Sequence, residues 1–156
     1  LIQILSTFFN IPANIQEFVP QWIKLEPNQQ VQLGGSLGLG QDTILGTAVR
    51  DAQHKFRLVL GPLNRQQFNA FLPGTPKSQQ LVHWLRQYIG IELAWDATLE
   101  LDKNEISGIR LGQQIPLGLG SWMGNRDTAK GHARDVIIDY EHRLQQRQKE
   151  IRPVPA

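Results

Sequence analysis

"IELAWDATLELD", residues 91–102, sets Ile91, Leu93, Trp95, Ala97, Leu99 and Leu101 in alternation with Glu92, Ala94, Asp96, Thr98, Glu100 and Asp102. A period of two belongs to a strand that buries one face and wets the other. Trp95 is therefore expected in the core, and Asp96 and Glu100 on a solvated sheet face. Carboxylates spaced so regularly along an open face give no sign of a tuned acid–base pair.

Upstream of this strand the pattern changes to helical. "NRQQFNAFLP" starts at an Asn64 cap and stops before Pro73, and a second helix opens at Thr75-Pro76 and ends at Gly90. Leu81, Trp84, Leu85, Tyr88 and Ile89 fall at i, i+3, i+4, i+7 and i+8, which predicts one core-facing stripe. "KFRLVLG", residues 55–61, alternates again as a strand. At the start of the chain, Leu1, Ile2, Leu5, Phe8 and Phe9 keep helical spacing until Asn10 and Pro12. Residues 15–25 are strand-forming but interrupted by Pro20, which confines them to an edge or a break. "IRLGQQIPL" (109–117) and "DVIID" (135–139) read as further short strands. The polar residues 140–156 read as a tail, mobile or docked on a partner. The expected class is α+β: short antiparallel strands with a helix pair.

Composition narrows the function. The chain has 156 residues, enough for one compact domain, and 40% of them are hydrophobic against 19% charged, which suits a globular core. Sixteen Lys and Arg balance 14 Asp and Glu without a basic stripe, so nucleic-acid binding is weakly supported. The absence of cysteine excludes disulfides and thiolate chemistry and is compatible with a reducing cytosol. No apolar run approaches the ~20 residues that cross a bilayer. Lacking an initiator Met, the chain is expected to be part of a longer protein.

The glycines form a repeat. "LGLGQDTILGTAVRDAQHKFRLVLG" begins at Leu37 and "LGLGSWMGNRDTAKGHARDVIID" at Leu117; aligning Gly46 with Gly124 places His54 on His132. Each unit, about 33–61 and 111–139, reads as a glycine-punctuated stretch, a polar loop ending in His, and a strand. "GLGSWMG" misses the dinucleotide fingerprint by one residue and has no helix behind it, and no phosphate-binding GxxxxGK[ST] exists. Ser36, Ser107 and Ser121 lie outside any G-x-S-x-G elbow. His54, His83, His132 and His142 lack metal-ligand spacing, and only repeats that faced each other could join His54 to His132. Neither cofactor nor metal is therefore expected. The mixed-charge loops suit protein contacts better than a phosphate-tracking groove.

Several motifs together resemble one family. "LGxxxxLGxxxRDxxxKFRLxLGPL" (39–63), "FLPG" (71–74), Trp95 and Asp96 of "ELAWD", and "LGLGSWMGNR" (117–126) are similar to the C-terminal half of the TssG (ImpH, VasB) family, the type VI secretion baseplate subunit. The similarity runs from residue 1 to 139. Met123 stands where the family usually has leucine, a volume-conserving change. The resemblance implies a non-enzymatic, cytoplasmic assembly part that sits in the baseplate wedge with TssF and TssE. It also implies two loops gripped by two TssK trimers, which link the wedge to the inner-membrane complex. Joined to the repeat, it places the loops at residues 46–56 and 124–135. Their candidate contacts are Arg50, Asp51, His54, Lys55, Trp122, Asn125, Arg126, Asp127, Lys130 and His132, with Trp122 either meeting a partner or rooting its own loop. The alternative reading is a small hydrolase or ligand-binding domain with a cleft between the repeat units.

Overall fold

The computed structural model describes residues 1–27, 30, 46–106, 108, 118–122 and 131–143. In chain order these form α1 (Ile2–Phe9), β1 (Ala13–Gln16), β2 (Gln21–Lys24), β3 (Ala48–Asp51), β4 (Lys55–Leu63), α2 (Arg65–Ala70), α3 (Pro76–Ile89), β5 (Ala94–Leu101) and β6 (Ala133–Ile138). The expected strand at 109–117, most of each glycine-rich stretch and the tail from 144 onward lie outside the described residues.

Capping chemistry sets the helices as the sequence predicts. Asn64 accepts from the Gln67 N–H while the Gln67 side chain accepts from the Asn64 N–H, a reciprocal capping box. Thr75 caps α3, Pro76 opens it, and the helix ends at Gly90, φ 75°. Pro20 breaks the 15–25 segment into β1 and β2, as expected.

Four strands form a sheet in the order β1-β4-β5-β6, and β2 and β3 form a separate antiparallel ribbon. The pairing of β4 with β5 is parallel, in register from Lys55 opposite Ala94 to Leu60 opposite Leu99. The sheet is therefore mixed, which corrects the all-antiparallel expectation. The helix pair carries the chain back to the end at which β4 began, and a crossover of that length makes parallel neighbours.

The core lies between this sheet and the helices. Leu58, Leu60, Leu99 and Leu101 of the sheet pack with Phe68, Phe71, Leu81 and Leu85, all essentially without exposure. Trp95 is buried as expected. Trp84 is only half-buried, its ring tilted against that of Phe8 at 5.3 Å, and Tyr88 is 59% exposed. The inward stripe of α3 is thus narrower than its spacing suggests. Tyr140 and Glu141, assigned to the tail by sequence, belong to the packed body. The Tyr140 hydroxyl donates to the Phe71 carbonyl at 2.6 Å, and Glu141 accepts from Trp95 Nε1 at 3.0 Å and pairs with Arg86.

The second face of β5 overturns the expectation of a solvated sheet face. Asp96, Thr98 and Glu100 are 3%, 4% and 4% exposed rather than solvated. β5 is a central strand, and cations from both neighbours fold over its carboxylates. Arg57 and Lys55 of β4 hold Asp96, with Arg57 Nη2 and Lys55 Nζ each 2.9 Å from Oδ2, and Arg134 of β6 holds Glu100 at 2.9 Å. Desolvation pushes the Asp96 carboxyl upward, but the hydrogen bonds and charges of Arg57 and Lys55 outweigh it and hold its pKa below the usual range.

Candidate functional site

Residues 46–56, expected as a projecting loop, are mostly strand. Gly46 and Thr47 lead into β3, and only Ala52–His54 bend before β4 begins. Asp51 organises the bend: its carboxylate accepts from the N–H groups of Gln53 and His54 at 3.2 and 3.3 Å, and the His54 ring Nδ1 lies 3.2 Å away. Desolvation acts to raise the Asp51 pKa, and these hydrogen bonds, with one from Gln21, lower it further than that. Arg50 and His54 are exposed, whereas Lys55 is committed to Asp96.

The second candidate segment is described at its two roots. Asn125, Arg126, Asp127 and Lys130 lie outside the described residues, so their part in the site stays with the sequence argument. Trp122 packs inward against α2, with its ring 5.9 Å from Phe68 and under the Arg65 guanidinium at 5.6 Å. Its Nε1–H donates to Asp135 at 3.1 Å, and Arg65 donates to the Gly120 carbonyl at 3.3 Å. Trp122 is thereby half-buried, held between α2 and β6. At the other root, His132 Nδ1 accepts from the Lys103 N–H at 3.2 Å, with Asp102 3.8 Å away.

The two histidines do not converge. The His54 carbonyl accepts from Ala94 N–H, where β5 opens, and His132 meets Lys103 just beyond the strand's other end. Eight residues of strand separate those ends, roughly 25 Å at ~3.3 Å per residue. The opposition has a simple origin. β4 and β6 flank β5 on either side, one parallel and one antiparallel to it. A loop preceding each strand must therefore emerge at opposite ends of the sheet. A cavity of about 350 Å³ beside His132 is lined by Asn14, Gln16, Glu100 and Arg134 but not by His54. Among the described residues no group of three or more His, Asp or Glu is placed to hold a metal ion.

The family model for type VI secretion TssG matches residues 1–124. The chain belongs to the TssG family. Two solved structures share its fold. One, a chain of a type VI secretion system TssK-TssF-TssG baseplate subcomplex, is 19% identical with a TM-score of 0.63, covering 89% of this chain and 59% of its own. The other, from the baseplate complex of the type VI secretion system, is 17% identical with a TM-score of 0.61, covering 88% of this chain and 40% of its own. This TssG-family chain thus spans less than two thirds of either structure's chain. No curated protein matches it. Among the described residues no helix is long and apolar enough to cross a membrane.

Sequence reasoning missed two groups of residues that matter here. The first is the carboxylate layer of β5, which no local pattern reveals. The second is the outer face of the β2–β3 ribbon. Trp22 on β2 is 72% exposed, and its cross-strand partner on β3 is the exposed Arg50. An aromatic followed two residues later by Lys24, just past a strand-breaking Pro20, was the available signal.

Proposed function

We propose that this chain is a non-enzymatic scaffold of the type VI secretion baseplate wedge, associating with TssF and TssE and docking two TssK trimers through residues 46–56 and 124–135. The observation that carries this reading is that β4 and β6, the strands that follow the two segments, start at opposite ends of β5. An adaptor gains from separated contacts, whereas a hydrolase would need its histidines in one concavity. Membership of the TssG family and likeness to a chain of a TssK-TssF-TssG subcomplex support the same assignment. The two glycine-punctuated units are read as a duplication through which a single chain addresses two copies of one partner; the strands that close them, β4 and β6, run in opposite directions beside β5. The complex is cytoplasmic and docks at the inner membrane through TssK.

Co-purification with TssK and TssF tests this reading. One variant combines His54→Ala with Arg50→Glu, and a second replaces residues 124–130 by a Gly-Ser linker of equal length. Each is expected to reduce bound TssK while TssF is retained. Undiminished TssK in both variants overturns the two-segment reading, and a wild-type chain that captures neither protein overturns the baseplate assignment.

A further inference from the structure

The β2–β3 ribbon carries an unusual combination of exposed groups. Strand alternation places Trp22 and Lys24 on one face, and register places Arg50 directly opposite Trp22 and Ala48 opposite Lys24. Trp22 is 72% exposed, and both cations are exposed. Neither Lys24 nor Arg50 has a carboxylate partner among the described residues, whereas Lys55, Arg57, Arg86 and Arg134 all do. Asp51 neutralises nothing on this face, because it sits opposite Gln21 on the reverse side and is tied to His54 and the bend. Glu26 lies beyond the end of β2 and makes a contact of its own.

Two further facts bear on what covers this face. A two-stranded ribbon is marginal in water without a layer against it. At its root Phe18 is held at φ 57° and is 68% exposed, and a bulky side chain at positive φ is strained. We propose that the Trp22–Lys24–Arg50 face docks a protein surface bearing carboxylates around an apolar notch, with the indole filling the notch and the two cations pairing at its rim. Trp and Arg are the side chains that dominate such contacts. Two cations are too few for an anionic membrane, which is read by about four to eight, and a single indole is no stacking platform for a nucleic-acid strand. The proposal rests on the baseplate reading for the identity of the protein probes.

The experiment measures binding of the chain to purified TssF and to purified TssK. Trp22→Ala is expected to weaken binding to one of them at least about 30-fold, the loss typical of a hot spot, and Trp22→Phe to keep most of it. Lys24→Glu with Arg50→Glu should weaken the same complex more at low than at high salt. Thermal unfolding unchanged in all variants keeps folding out of the result, since these side chains are exposed. Wild-type binding that every variant retains within about twofold overturns this inference and leaves the baseplate reading standing. Failure of wild-type binding to both proteins overturns the two together. Binding to phosphatidylglycerol vesicles that these variants abolish, with protein binding intact, overturns it in favour of a membrane surface.

Discussion

The four-stranded sheet and the β2–β3 ribbon use the same side chains to opposite ends. In the sheet, Lys55, Arg57 and Arg134 lie over the carboxylates of a central strand, and Asp96 and Glu100 lose almost all contact with water. In the ribbon, Lys24 and Arg50 flank an exposed indole and meet no carboxylate among the described residues. The difference lies in strand position: β5 has neighbours on both sides, whereas each ribbon strand has one. The sheet is internally complete, and the ribbon leaves its polar and apolar chemistry for another molecule.

The tightest part of that complete sheet gives the largest expected effect. Gly61 has φ 144°, and a Cβ there would fall 2.6 Å from both the Cβ and the carbonyl oxygen of Glu100. Gly61→Ala must move β4 away from β5, where the register shifts between Leu60 and Leu63. Backbone strain of about 1–3 kcal/mol and overpacking of similar size predict a loss of about 4 kcal/mol in denaturant unfolding. A loss below about 1 kcal/mol means the two strands are not held as closely as the register implies.

Asp96→Ala comes next. It strips Arg57 and Lys55 of their shared carboxylate, and since both cations keep some access to water the expected loss is about 2–3 kcal/mol, at the lower end for a broken buried pair. Lys24→Ala in the ribbon is the matched control, expected to change stability by no more than about 0.5 kcal/mol. Equal losses from the two would erase the contrast between sheet and ribbon. The same pair sets an acid limit. Because the folded Asp96 carboxyl holds its proton less tightly than an ordinary one, its contribution is complete above the unfolded pKa near 4 and is lost as pH falls through the lower, folded value. Stability measured between pH 5 and pH 2 should therefore fall more steeply in wild type than in Asp96→Ala.

How much of this was legible in the sequence follows the range of each interaction. The Asn64 and Thr75 caps, the stop at Gly90 and the break at Pro20 are local events, and the sequence reveals them directly. The TssG motifs disclose the family because they are spread along the chain in order. Strand direction was hidden, since the alternation of residues 91–102 is the same in a parallel or an antiparallel pair; the cue was the length of the helical crossover. The burial of Asp96 was hidden for a related reason, because it depends on which side chains stand on the neighbouring strands. Arg50 and Asp51 read as loop residues by their charge, although a ribbon with both faces near water accepts them in a strand.

Tyr140→Phe removes a single oxygen from the packed body and probes where the complete region ends. The hydroxyl is buried and donates to the Phe71 carbonyl, the residue that closes α2. Removing it leaves that carbonyl without this donor in an apolar setting, which costs about 1 kcal/mol. Burial also raises the Tyr140 pKa well above that of a free phenol, so the neutral form is favoured in the fold. The corresponding stability is complete below the unfolded pKa near 10 and is lost as pH rises towards the folded value. Wild type should therefore lose stability above pH 10 faster than Tyr140→Phe does. Identical alkaline profiles would place Tyr140 outside the cooperative unit and return the boundary of the packed body to residue 139, where the sequence first set it.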